Sequence, residues 1–231
     1  MPTLLTTGAG RGIGLELVRQ YAADNWTVIA CARAPENSSE LTQLAERSNG
    51  RVTVHRLDVT DFTAIDALAK ELADRPIDVL INTAGMMGRT TSFGSSDYAE
   101  WDQVFRLNAF APTKMAEAFV QHVARSEQKK IVSLTTLMAS IAKNEVGAFY
   151  AYRGSKAAMN AIMHSMSIDL GRKQGIALAL IHPGWVRTDM GGKQALIEVG
   201  ASVSGIKKVI ASLSKTNTGK FWNFDGTEIP W

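Results

Sequence analysis

The sequence predicts an α/β protein: a doubly wound domain of seven parallel strands with helices on both faces. Three observations predict it. Short β-rich apolar runs recur along the chain, helical periodicity fills the stretches between them, and a glycine cluster follows the first run. Runs that stay apolar without alternating are what strands buried on both faces require. Parallel neighbours also need long crossovers, which helices supply.

The strands are expected at "TLLTT" (3–7), "WTVIACA" (26–32), "RVTVHRL" (51–57), "DVLINTA" (78–84), "KIVSLTT" (130–136), "IALALIH" (176–182) and "KFWNF" (220–224). Between the third and fourth runs, Phe62, Ile65, Leu68, Ala69 and Leu72 recur at three- and four-residue steps, which marks a helix. Asp61 stands where it can cap that helix. Helical character also runs from Ala151 to Gly171. The turn clusters "APENSS" and "TNTG" are only loop-sized, and no repeat or Pro/Gly-rich linker divides the chain. One domain over 1–231 is the economical reading, with a short loop at about 186–204 on the ligand side.

A chain of 231 residues, 45% hydrophobic, can bury a core without covalent staples. Cys31 is the single cysteine, so an internal disulfide is impossible, which suits a reducing compartment. The net charge is +3, but the basic residues are scattered and form no stripe along which phosphates would track, so nucleic acid is not an expected partner. No apolar run reaches bilayer length, and the N-terminal segment lacks a charged stretch followed by a long apolar core. No membrane partner and a cytoplasmic location are the expectations. His55, His122, His164 and His182 are widely spaced, so no metal site and no Ser-His-Asp arrangement is expected.

In doubly wound sheets, ligands bind beyond the carboxyl ends of the strands. After the first strand comes "TGAGRGIGLELV", with Gly8, Gly12 and Gly14 between strand and helix and Ile13 where the commonest dinucleotide pattern has its last glycine. A plain tight turn uses glycines too. The strand–loop–helix setting favours a phosphate cradle, with backbone N–H groups facing a diphosphate. The second strand ends in "ACAR": Arg33 stands where an acid would bind the ribose hydroxyls of NAD, and Arg11 lies in the glycine loop. Two guanidiniums suit a ribose 2′-phosphate, so NADP(H) is expected over NAD(H), the alternative being two solvated surface arginines.

In "AYRGSK", Tyr152 and Lys156 are four apart and share a helix face, whereas Tyr150 does not. An ammonium beside a phenol favours the phenolate, and such a tyrosine can donate or accept a proton at a carbonyl or alcohol oxygen.

Taken together, "TGAGRGIG", "NTAG" (82–85), "YRGSK" (152–156) and "HPGWVRTDM" (182–190) resemble the short-chain dehydrogenase/reductase family over essentially the whole chain. The nearest subgroup by resemblance is that of sniffer-type carbonyl reductases and C-factor-like proteins. The resemblance implies a single Rossmann domain and a hydride transfer between NADP(H) and a small carbonyl or alcohol. It makes Tyr152 the general acid/base, and Lys156 the group that lowers its pKa and holds the nicotinamide ribose. Asn108 supports a proton-relay water. Asn82, Ala84 and Gly85 lie beside the cofactor, Asp58 and Val59 flank the adenine, and Pro183, Gly184, Val186 and Thr188 bind the carboxamide. A homodimer or homotetramer assembled through the helices at 97–126 and 150–171 is the implied assembly.

Two departures follow. Thr83 replaces the second asparagine of the family's Asn-Asn-Ala-Gly, at a position expected to be structural. The family's catalytic serine falls where this chain reads Thr135-Thr136, so Thr136 is expected to supply the hydroxyl, with Ser140 as the rival. Met86, Met87, Met138, Phe149, Trp185 and Met190 follow strand ends and are expected to face an apolar or aromatic substrate, although core or rim packing is the plainer use of such side chains. A non-catalytic dinucleotide sensor would need the glycine loop but not the tyrosine–lysine pair.

Overall fold

In the computed structural model, which describes residues 1–90 and 92–231, every apolar run becomes a strand. These are β1 Thr3–Thr6, β2 Thr27–Ala32, β3 Val52–Arg56, β4 Val79–Asn82, β5 Lys130–Leu134, β6 Ala177–His182 and β7 Lys220–Asn223. All pair in parallel in the order β3-β2-β1-β4-β5-β6-β7. The chain winds outward through β2 and β3, then returns to place β4 on the other side of β1. That reversal opens a crevice at the carboxyl ends of β1 and β4.

The helices are α1 Gly12–Ala23, α2 Ser39–Arg47, α3 Phe62–Glu71, α4 Tyr98–Phe105, α5 Ala111–Ala124, α6 Tyr150–Gln174 and α7 Val199–Ser212. Successive strand residues serve opposite cores. Leu5, Ile29, Leu80, Ile131 and Leu180 pack with Leu68, Phe119, Met159 and Met163 of α3, α5 and α6. Leu4, Val28, Ile81, Val132 and Ile181 pack with Leu17, Val18, Leu41, Val203 and Ile206 of α1, α2 and α7. Burial on both faces is why the strands read as continuous apolar runs.

Local signals act as their chemistry requires. Asp61 Oδ1 accepts the Ala64 N–H at 3.0 Å and caps α3. The expected helix at 97–126 is divided by a π turn at Arg106–Phe110. Pro112 has no N–H to give the carbonyl of Asn108 four residues earlier, so the regular ladder cannot run through. Helix α7 begins at Val199, which shortens the expected 186–204 loop. No helix among the described residues is long and apolar enough to cross a membrane.

Candidate active site

The glycine loop has the backbone of a phosphate cradle. Gly8 and Gly12 take φ +64° and +54°, and no side chain caps α1 at Arg11. The first N–H groups of the helix therefore face outward unpaired, at the positive end of its dipole. Close packing fixes the loop: a Cβ on Gly8 would lie 3.0 Å from the Ala84 backbone, and one on Gly14 would lie 2.2 Å from Gly8 O. The N–H groups of Thr83 and Ala84 both donate to Thr7 Oγ1, at 3.0 and 3.2 Å. Thr83 Oγ1 pairs with Thr6 Oγ1 at 3.1 Å, which gives the unusual threonine a structural bond. Asn82 is buried, its amide donating to Ser133 Oγ at 3.1 Å.

At the next strand ends, Arg33 is exposed and close enough to Asp58 to act on its carboxyl. Burial pulls the Asp58 pKa up, but the Thr60 hydrogen bonds and Arg33 outweigh it and hold it below the ordinary range. Val59 beside it is buried. The nearby acid Glu36 is occupied by Arg56 at 2.7 Å. Arg11 departs from expectation: its guanidinium pairs with Asp189 at 2.7 Å, and both side chains are more than three-quarters exposed. Sequence reading had no reason to pair them, because 178 positions separate them. The pair joins the glycine loop to the segment after β6, where Thr188 Cγ2 lies 3.3 Å from the Cβ position of Gly12. In that segment Gly184 needs its φ of +84°, Pro183 O accepts from Ser202 Oγ at 2.6 Å, and Val186 is buried.

The candidate reaction corner is where α6 crosses the end of β5. Tyr152, Ser155, Lys156, Met159 and Asn160 share the buried face of α6. Lys156 Nζ donates to Leu134 O at 2.8 Å, tying the helix to the strand just before Thr135-Thr136. Thr135 Oγ1 donates to Asn160 Oδ1 at 2.7 Å, a second tie that sequence reading missed. The Thr136 hydroxyl faces the Tyr152 phenol and also accepts the Met138 N–H at 3.2 Å. Its proton is directed at the phenol oxygen, the arrangement that lowers a phenol's pKa. Asn108 stands behind: its amide donates to Met86 O at 2.8 Å and Ser155 Oγ at 3.1 Å, and its Oδ1 accepts the Met86 N–H at 2.9 Å. A Cβ on Gly85 would lie 3.2 Å from Asn108 Oδ1 and 3.5 Å from Lys156 Nζ, so only glycine leaves both groups undisturbed.

Ser140 does not join this corner. It is almost fully buried, and its Oγ donates to Pro230 O at 2.5 Å and Trp231 O at 3.2 Å. The residues expected to face a substrate divide. Met86, Met138 and Phe149 are half-buried, while Trp185 and Met190 are about half exposed, and Trp185 Nε1 donates to Gly191 O at 2.8 Å.

Burial sets the electrostatics. It raises the Tyr152 phenol, with Thr136 acting against the shift, and it lowers Lys156 to about 8. The expected downward pull of Lys156 on Tyr152 is not what dominates; desolvation is. The folded Lys156 value lies below that of the unfolded chain. The cost of burying its charge is therefore present in full below about 8 and fades as pH rises toward the ordinary lysine value near ~10.4. Wild type should gain in melting temperature on Lys156→Met between about pH 7 and about pH 10. A difference that stays constant with pH would show that Lys156 titrates as it does unfolded.

Sheet, glycine cradle and buried tyrosine–lysine pair define a dinucleotide-dependent oxidoreductase fold. A family model described as short chain dehydrogenase matches residues 2–197, and the chain belongs to the short-chain dehydrogenase/reductase family. Carbonyl reductase Sniffer of D. melanogaster is 31% identical, with full coverage of both chains and a TM-score of 0.92. NADPH-bound carbonyl reductase from chicken fatty liver is also 31% identical, covering 100% of this chain and 99% of that one, with a TM-score of 0.92. C-signal of Myxococcus xanthus is 41% identical over 165 residues, 71% of this chain and 99% of the relative.

Proposed function

We propose that the protein is an NADPH-dependent carbonyl reductase of the family, interconverting a ketone or aldehyde and its alcohol. The observation that carries the reading is the buried corner at the end of β5, where the Thr136 hydroxyl faces the Tyr152 phenol and Lys156 ties α6 to Leu134 O. When bound, a reduced nicotinamide supplies the hydride. Gly8, Gly12, Ile13 and Gly14 would hold the diphosphate, Arg33 the 2′-phosphate, and Asp58 with Val59 the adenine. Asn82, Ala84 and Gly85 would line the floor, and Pro183, Gly184, Val186 and Thr188 would meet the carboxamide. Thr136 would turn its hydroxyl from the Tyr152 phenol to donate a hydrogen bond to the substrate oxygen and orient it. Tyr152, held protonated by burial, gives its proton to that oxygen as negative charge develops there. Lys156 places positive charge beside the exchange, and Asn108 locks the loop at Met86 against α6.

Preference for NADPH is supported by Arg33, exposed at the end of β2 where an acid would bind the ribose hydroxyls of NAD, and by the NADPH carried by the chicken relative. Arg11 can add to it only by leaving Asp189. Loss of reduced-nicotinamide absorbance, followed with NADPH and NADH against aromatic and aliphatic ketones, diones and quinones, tests the reading. Turnover should favour NADPH by at least about tenfold, the worth of roughly one charged hydrogen bond. Equal use of NADH would remove the preference. Tight NADPH binding with no turnover in either direction would favour a second reading, a dinucleotide-binding signalling protein. That reading draws on the relative named C-signal and on threonine at the serine position.

A further inference from the structure

The loop between β5 and α6 carries the substrate side of the corner, and its two halves are held differently. Arg153, next to Tyr152, donates to Met138 O at 3.1 Å and Gly147 O at 3.0 Å, pinning both shoulders. The middle, residues 141–146, is exposed, and a second set of bonds ties its start to the far end of the sheet. Ser140 Oγ donates to Pro230 O and Trp231 O, and the Ala142 N–H donates to Trp231 O at 2.9 Å. Ser140 Oγ also accepts the Lys143 N–H at 3.2 Å. The Ser140 hydrogen is thus engaged by two carbonyls, and none remains for a substrate.

Residues 229–231 are themselves anchored on the core. The Ile229 N–H donates to Phe221 O at 2.7 Å, and Ile229 is buried. The Trp231 ring stacks on Phe221 at 5.7 Å and meets His164 of α6 edge-on at 5.4 Å. On the other side, Ser140 ends the short turn Leu137–Ala139, whose cap is the Thr136 hydroxyl. A continuous set of contacts therefore runs from β7 and α6 through Trp231 and Ser140 to the hydroxyl facing Tyr152.

We propose that residues 229–231 form a strap which, through Ser140, positions Thr136 and Met138 for the substrate. Ser140 is a positioning residue. The inference rests on the reading of Thr136 and Tyr152 as the hydroxyls that hold the substrate oxygen. The strap touches no part of the glycine cradle, so its loss should separate the two halves of the site.

The experiment compares wild type with Ser140→Ala, Trp231→Ala and Trp231→Phe. Tryptic cleavage after the exposed Lys143 reads the loop directly, without any turnover. It should quicken about tenfold in Ser140→Ala and Trp231→Ala and return toward wild type in Trp231→Phe, which keeps a stacking ring. Carbonyl kcat/KM should fall about tenfold in the same two variants, while the Kd for NADPH stays within about twofold. Wild-type cleavage rates in both alanine variants would overturn the strap. So would a loss of NADPH affinity in step with turnover, since that marks general loosening. A wild-type protein without turnover would sink the reductase reading instead, and the cleavage comparison would still decide the strap.

Discussion

Tyr152→Phe should lower turnover by roughly 10²–10⁴-fold, the range that general acid catalysis contributes. The change removes one oxygen from a side chain only 8% exposed and leaves the ring packed as before. No other hydroxyl in the corner can replace its proton. The Ser140 hydrogen is engaged elsewhere, and Thr136 is too weak an acid to protonate a developing alkoxide, while Lys156 is tied to Leu134 O. The dinucleotide should still bind with near-wild-type Kd, because the glycine cradle lies on other elements. Single-turnover absorbance with saturating carbonyl, beside a fluorescence titration of NADPH, separates the two effects. A variant that keeps turnover within a few-fold would remove Tyr152 from the chemistry. The direction of its pKa shift adds a second consequence. A phenol raised by burial stays protonated through neutrality, so carbonyl reduction should need no prior ionisation. Alcohol oxidation needs the phenolate and should climb with pH over the range where reduction is level.

Much of this site could be read before folding because its parts are local. The strands declare themselves by burial on both faces, the cradle by glycines between strand and helix, and Tyr152 with Lys156 by one turn of α6. What could not be read depends on distant partners. Ser140 is turned to backbone oxygens of Pro230 and Trp231, 90 and 91 positions away. Nothing in the segment "DGTEIPW" (225–231) says that it reaches across to the loop after β5. The pairing of Arg11 with Asp189, which bridges two loops, is similarly invisible. The downward pull expected of Lys156 on Tyr152 assumed a solvated pair, whereas burial acts on both groups and in opposite directions.

Gly14→Ala should weaken NADPH binding by about tenfold to a hundredfold or more, although helix propensity alone favours alanine by about 1 kcal/mol. Gly14 is helical, so the substitution costs nothing in φ. The obstacle is distance: the new Cβ would lie 2.2 Å from Gly8 O and 2.7 Å from Gly8 C, both backbone atoms. No rotamer relieves that clash, so the loop must move away from α1. Gly8 cannot retreat far, because its own Cβ direction is already 3.0 Å from the Ala84 backbone at the end of β4. The N–H groups that would face a diphosphate are then displaced, and losing one charge-assisted bond of about 1.5–3 kcal/mol gives the stated range. The fold should survive, since Leu15, Leu17 and Val18 keep α1 on the sheet. Gly10→Ala is the matched control. Its Cβ would sit 3.7 Å from Ala32 and 3.8 Å from Ser38, in ordinary contact, so affinity should change only a few-fold. Equal losses in the two variants, by NADPH fluorescence titration with melting curves alongside, would mean that bulk anywhere in the loop blocks binding. Unchanged affinity in Gly14→Ala would mean that the diphosphate does not rest on this cradle.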